Sequence, residues 1–337
     1  MPDQALSNIK VLDFTHYVAG PYCTMLLAGY GADVVKVERP GTGDGARRLG
    51  PFPGGRPHGE KSGLFLHLNT NKRGITLNLK AEAARKIVRE LAAEADIVVE
   101  SFRPGTMGRL GLDFQTLRAV NPRLVMTSIS SFGQTGPYRD YRGSEIIFYG
   151  MGGEMYSTGL EEREPVKLGA NVVLCQAGAT AAVATMGALF TVSSPAMGQH
   201  VDVSIMETQV GSIDRRMSAL VAYQYTGETT RREPLATSGS VSKVYPCQDG
   251  YLEATVGLGY FPRVVQMLGE PEALQEPRWY TPDARSNPDL QAELEDHILS
   301  WSVDRGKADA WRAAQETRVL SGPLNTIEDL ARDPHFN

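Results

Sequence analysis

Residues 9–40, IKVLDFTHYVAGPYCTMLLAGYGADVVKVERP, decide the fold class. IKVLDFT (9–15) is a short apolar and β-rich run. GPYCTMLLAGYGA (20–32) follows as a helix opening on Gly20-Pro21, where the missing proline N–H would have had no helical partner anyway. DVVKVERP (33–40) is a second β-rich run. Strand, helix and strand in about thirty residues make a βαβ unit.

Outward from this unit the alternation continues. ITLNL (75–79) predicts a strand, and KAEAARKIVRELAAEA (80–95) a helix with Ala84, Ile87, Val88 and Leu91 on one face. DIVVES (96–101), FQTLRAVNP (114–122) and LVMTSISSF (124–132) repeat strand, helix and strand. The pattern predicts an α/β fold, a doubly wound, Rossmann-like parallel sheet covered on both faces. The Gly/Pro-rich stretch 40–63 is too long for a simple connector and reads as a functional loop.

Between Lys167 and Asp202 no residue carries a formal charge. Val172 to Val192 is long enough to span a bilayer, which takes about 20 apolar residues. Its small residues and the polar Gln176, Thr180, Thr185 and Thr191 instead predict a helix packed against protein on every side, with no membrane contact. HVDVSI (200–205) predicts a further strand and METQVGSIDRRMSALVAYQYTG (206–227) one long helix. The polar stretch 228–240 reads as a linker between a large domain, 1–227, and a smaller α+β domain, 241–337. In the latter, KVYPCQDGYLEATVG (243–257) predicts a hairpin turning at Asp249-Gly250, with helices around 261–268 and 289–302.

The balance of 34 basic and 39 acidic residues, a net charge of -5, leaves no nucleic-acid footprint. Cys23, Cys175 and Cys247 lie far apart without CxxC or Cys/His spacing, so neither a metal site nor a disulfide framework is indicated. Residues 1–25 carry Asp3, Lys10 and Asp13 and lack the layout of a signal peptide, and the expected location is the cytoplasm.

Ligands of doubly wound sheets sit at the carboxyl ends of the strands. The candidates there are His16 to Gly20, Arg39, Ser101 to Arg109 and Phe132 to Tyr138. With Lys72 and Arg73, the cations Arg39, Arg103 and Arg109 suit a polyphosphorylated ligand; the alternative is ordinary solvated charge. No GxxxxGK[ST] is present, and no GxGxxG joins a strand to a helix.

VLDFTHYVAGPYCTMLLAGYGADVVKVERPGTGD, HLNTNKRGITLNLK, DIVVESFRPGTMGRLGL, NPRLVMTSISSFGQTGPYRD and GQHVDVSIMET together resemble the family III CoA-transferases, which include formyl-CoA transferase, carnitine CoA-transferase and α-methylacyl-CoA racemase. The resemblance runs from about residue 8 to the end. It implies acyl-CoA and a carboxylic acid as substrates, with no permanently bound cofactor and no metal. It implies that His16, Val18 and Ala19 lie along the CoA, that Arg39 and Lys72 or Arg73 lie near its phosphates, and that Ser101, Phe102, Arg109 and Leu110 follow the adenine and pantetheine side. It further implies an interlocked dimer with the active site where subunits meet.

Transferases of this family attack the thioester with an aspartate in a stretch resembling G-x-x-x-x-D-x-x-x-G. Here that stretch is GANVVLCQAG, Gly169 to Gly178, and Leu174 stands at the aspartate position. Leucine has no nucleophile, and the neighbouring Cys175 reads as an inert buried thiol. Glu145 matches an acidic position of the family, its other reading being a helix-entry charge. Ser144 stands where the racemase branch has a histidine, so two-base proton transfer is unsupported.

Three readings follow. The chain is the non-nucleophilic subunit of a heteromer whose related partner carries the aspartate, as in benzylsuccinate-type CoA-transferases. Otherwise it is a homodimeric isomerase, racemase or hydratase/lyase using Glu145, or a CoA-binding protein without catalysis. The sequence ends at IEDLARDPHFN, where the resemblance implies a further segment returning to the large domain.

Overall fold

The computed structural model describes residues 4–192, 198–210, 215–229, 241–256, 261–282, 284 and 287–336. The chain divides into two compact units, Met1–Arg232 and Glu233–Asn337. The expected linker falls mostly on 230–240, outside the described residues.

In chain order, the first unit runs β1 (Lys10–Phe14), α1 (Ala19–Gly29), β2 (Asp33–Glu38), α2 (Gly63–Leu68), β3 (Lys72–Thr76), α3 (Glu82–Glu94) and β4 (Ile97–Glu100). It continues through α4 (Thr106–Leu110), α5 (Phe114–Val120), β5 (Val125–Ser130), α6 (Glu145–Met151), α7 (Val172–Val192), β6 (His200–Ser204), α8 (Ile205–Val210) and α9 (Arg215–Thr226). The strands form one sheet in the order β3-β2-β1-β4-β5-β6, and every pairing is parallel. This is the doubly wound arrangement that the alternating pattern predicts, with the chain reversing direction across the sheet between β1 and β4.

Both faces of the sheet are covered, which is why its strands read as nearly continuous apolar runs. Val11, Val34, Ile97, Val99, Val125 and Ile129 pack with Cys23 and Leu27 of α1 and Ala177 and Ala181 of α7. The alternate residues Leu12, Phe14, Val37, Val98 and Met126 pack with Val88 and Ala92 of α3 and with Leu112 and Leu117. α1 and α7 cross closely at Gly178, where an added Cβ would lie 2.4 Å from the Ala19 carbonyl oxygen. The buried Thr185 hydroxyl bonds the Ala181 carbonyl and the Thr127 hydroxyl, so this polar residue of the apolar helix is satisfied internally.

The expectation that α7 is enclosed on every side is not met within the chain. Val183 is 74% exposed and Phe190 82%. Only the stripe facing α1 and the sheet is buried, because helical spacing places these two side chains on the opposite surface. Two other expectations shift. The strand predicted at 75–79 is Lys72–Thr76, and the predicted long helix is instead α8 and α9, with 211–214 between them outside the described residues.

The loop after β2 is pinned at both ends. Arg47 pairs with Glu38 at 2.7 Å and with Glu60 at 2.9 Å, and its guanidinium lies 3.7 Å over the Phe65 ring. The Ser62 hydroxyl caps α2 through the Phe65 N–H and bonds the Ala46 carbonyl at 2.8 Å.

The second unit contains β7 (Val241–Cys247), β8 (Gly250–Val256), α10 (Phe261–Met267), α11 (Pro288–Val303), α12 (Lys307–Glu316), β9 (Leu320–Pro323) and α13 (Ile327–Arg332). Its three strands are antiparallel in the order β7-β8-β9. Leu252 and Ala254 pack with Val264, Leu294, Ile298 and Ala310.

Candidate active site

The carboxyl ends of β1 and β2 close over a buried charge network. Asp13, fully buried, accepts hydrogen bonds from the Thr15 N–H at 2.8 Å, the Thr24 hydroxyl at 2.7 Å and Lys72 Nζ at 3.1 Å. Burial alone would raise its carboxyl, but the Lys36 and Lys72 ammonium groups and the two threonine hydroxyls hold it well below the usual carboxylate range. Lys36 Nζ donates to the Thr15 carbonyl at 2.8 Å and pairs with Asp44 at 3.0 Å. Asp44 in turn accepts the N–H groups of Tyr17 and Ala46, both at 2.9 Å. These bonds hold Tyr17 at φ 67, a left-handed conformation that aims the chain from β1 into α1.

Above this network the predicted ligand residues meet. The His16 N–H donates to Ser101 Oγ at 3.0 Å, and its ring lies 5.9 Å from that of Phe102. Burial pushes the imidazole below its ordinary pKa, opposed by Asp44 and assisted by Lys36 and Arg39. Arg39 is exposed, with its side chain free of hydrogen bonds among the described residues. Val18 and Ala19 are buried, so backbone is what they can offer a ligand. Arg109 is exposed and donates to the Thr106 hydroxyl at 2.9 Å, while Leu110 packs into the sheet's α3–α5 face. Arg109 and Arg139 both approach Gly105, their guanidinium nitrogens 3.5 and 3.4 Å from where a Cβ would stand. Two forked cations at one turn suit a phosphate or diphosphate.

Lys72 and Arg73 do not join this group. Lys72 begins β3, paired level with Val34, and its ammonium is buried among Asp13, the Pro21 carbonyl at 2.9 Å, the Thr24 hydroxyl at 2.7 Å and Asn69 at 3.1 Å. An ammonium has three donors, and all are occupied. Arg73 grips Asp33 at the opposite, amino end of β2 and is largely exposed. Both side chains are thus engaged within the chain, Lys72 by Asp13 and Arg73 by Asp33.

The second half of the site is the N-terminus of α7. The four leading N–H groups of a helix lack intrahelical partners and attract anions. Glu145, the first residue of α6, supplies one: its carboxylate accepts the Val173 N–H at 2.9 Å and the Leu174 N–H at 3.1 Å. Leu174 is half-buried and packs against the α1–α7 core. Burial, then the nearby Glu145 charge, raises the Cys175 thiol, so this thiol is not activated as a nucleophile.

The model of CoA-transferase family III matches residues 6–337. The chain belongs to CoA-transferase family III. Over 338 residues it is 35% identical to the succinyl-CoA–D-citramalate CoA-transferase of Chloroflexus aurantiacus, covering 99% of this chain and 82% of that protein. It is 32% identical to the succinyl-CoA:(R)-benzylsuccinate CoA-transferase subunit BbsE of Thauera aromatica, again over 99% of this chain and 82% of the relative. A solved CaiB/BaiF family protein from Brucella suis superimposes with a TM-score of 0.87 at 32% identity, covering 99% of this chain and 87% of that one.

As a family III CoA-transferase the chain takes CoA thioesters as substrates rather than as a resident cofactor. Two residues of this site lay outside the sequence reading. Arg139 follows a loop, and only its approach to Gly105 pairs it with Arg109. Glu100 sits inside an apparently apolar strand, yet its carboxylate accepts the Phe102 N–H at 2.7 Å. A charged residue ending an otherwise buried strand, one position before the ligand turn, was the available signal.

Proposed function

We propose that this chain is the non-nucleophilic subunit of a heteromeric family III CoA-transferase that moves CoA between an acyl-CoA, such as succinyl-CoA, and a carboxylic acid. One observation carries the reading. Leu174 occupies the first turn of α7, where the family pattern has aspartate, and the one carboxylate bonded there, Glu145, engages the Val173 and Leu174 amides.

In the transfer, a carboxylate attacks the thioester carbonyl and expels the CoA thiolate, leaving an acyl anhydride. The thiolate then attacks the enzyme carboxyl carbon, frees the acyl group as its acid and forms an enzyme–CoA thioester. The acceptor carboxylate reverses these steps. In our reading the partner chain's aspartate does this chemistry. This chain binds CoA, with Arg39, Arg109 and Arg139 toward its phosphates and His16, Val18, Ala19, Ser101, Phe102 and Leu110 along the remainder. The exposed α7 side chains Val183 and Phe190 support a subunit interface of the interlocked kind, in a cytoplasmic enzyme. That the benzylsuccinate relative is itself named as a subunit supports a heteromer.

The test is transfer from succinyl-CoA by the purified chain, alone and mixed with a related aspartate-bearing chain. Activity only in the mixture is expected, and turnover by the lone chain would sink the subunit reading. Leu174→Asp is expected to restore activity to the chain alone. A second reading draws on the half-buried Glu145 beside Leu174: a homodimer performing isomerisation, racemisation or hydration/elimination. Acyl-CoA conversion by the lone chain that disappears in Glu145→Gln would establish it. CoA binding with no turnover in any pairing would instead mark a binding protein.

A further inference from the structure

Glu100 is unused by the transfer chemistry. It is 4% exposed and lies level with Phe14 of β1 and Ser128 of β5. Its bond from the Phe102 N–H closes the turn that sets Ser101 Oγ against the His16 N–H and the Phe102 ring against the imidazole. Ser128, level with Glu100 across the β4–β5 pairing, meets His200 Nε2 at 2.9 Å through its hydroxyl. His200 stacks on Phe114 at 5.4 Å and reaches solvent. A buried carboxyl thus stands beside a hydroxyl that reaches a surface imidazole.

We propose that Glu100 is the positioning residue of the Ser101–Phe102 turn, and that its charge sets how firmly that turn holds CoA. This rests on the reading that Ser101 and Phe102 lie along CoA. The ionised carboxylate holds the Phe102 N–H by a charge-assisted bond, roughly twice as strong as the neutral one. Affinity therefore rises as Glu100 ionises.

The surroundings place that change near neutrality. Burial pushes the Glu100 carboxyl up to about 7, with Asp202 of β6 adding to the rise and Ser128 and the Phe102 N–H opposing it. Asp202 itself accepts the Gln134 N–H at 2.8 Å. His200, lowered by burial and raised by Asp202, faces the same strand row. His16 stands beyond Phe102. α4 and α5 turn the apolar Met107 and Leu117 toward this face of the sheet, and carry Arg109 and Arg118.

Glu100→Gln keeps an acceptor for the Phe102 N–H but cannot ionise. With selective 15N-phenylalanine labelling, the Phe102 amide is expected to titrate with a midpoint near 7 in the wild-type chain and to stay flat in Glu100→Gln. Calorimetry with dephospho-CoA, which lacks the 3′-phosphate that itself ionises at about pH 6, is expected to show affinity rising roughly threefold between about pH 6 and about pH 8 in the wild type, with no slope in Glu100→Gln. Glu100→Ala, which removes the acceptor, is expected to bind roughly tenfold more weakly at every pH. A flat Phe102 amide in the wild type overturns the proposal whatever CoA does, and so does a pH slope that survives Glu100→Gln. A titrating Phe102 in a chain that binds no CoA instead overturns the CoA reading, and the ligand half of the proposal with it.

Discussion

Two carboxylates, Asp13 and Glu145, sit at comparable places, each beside the start of a long helix, yet they are built differently. Asp13 is fully buried and ringed by two lysines and two threonines. Glu145 is half-buried and holds two backbone amides. The first is woven into the folding of the sheet edge, so its loss destabilises the whole unit. The second borders Leu174 in the first turn of α7, the position where we propose the nucleophile is absent. Charges that hold a fold and charges that perform a reaction therefore come under different constraints, even within one site.

Breaking the first network should have the largest effect. Asp13→Asn leaves Lys72 without its buried counter-charge and is expected to cost about 3–5 kcal/mol in urea unfolding. The wild-type contribution has a defined pH range. Asp13 is depressed below its ordinary 3.8, so its stabilisation is complete above that value and is lost as pH falls below it. Gly178→Val drives a side chain into the Ala19 carbonyl, and about 2–3 kcal/mol of destabilisation is expected in the same assay.

Glu100 should behave in the opposite sense to Asp13. Its folded pKa of about 7 lies above the ordinary 4.5, so its stabilising contribution is present below 4.5, fades as pH rises and is gone above about 7. Glu100→Gln is expected to melt higher than wild type at about pH 8, by a gain on the order of 2 kcal/mol, and to match it at about pH 4. Glu145→Ala removes the anion at the α7 N-terminus, and about 1 kcal/mol of lost stability is expected. Arg73→Ala should fall within about 0.5 kcal/mol and leave CoA affinity unchanged, separating this exposed pair from the buried Lys72.

The strand and helix alternation was legible because each βα step carries its own periodicity, and the parallel sheet follows from connections too long for hairpins. The meeting of His16 with Ser101 was accessible for the same reason: both stand just past adjacent strands. What sequence could not reveal was the direction of long side chains. Lys72 sits one residue from the exposed Arg73, and nothing local indicates that its ammonium runs inward to Asp13. Arg139 was hidden for a related reason, since the turn it approaches comes from another segment of the chain. The open surface of α7 was equally unreadable. An apolar run is compatible with cover from its own chain or from another.

The loop between β2 and α2 acts as a replaceable insert. Because Arg47 is anchored to Glu38 and Phe65, and Ser62 to the Ala46 carbonyl, the two bases of the loop are tied to each other. The Pro51 carbonyl, which accepts the Gly63 N–H at 2.8 Å, and the Gly59 carbonyl, which accepts from Arg47 at 3.2 Å, belong to the same clasp and leave 52–57 outside it. A change of length or composition in that insert would leave the sheet unaltered, as a tool handle accepts different bits.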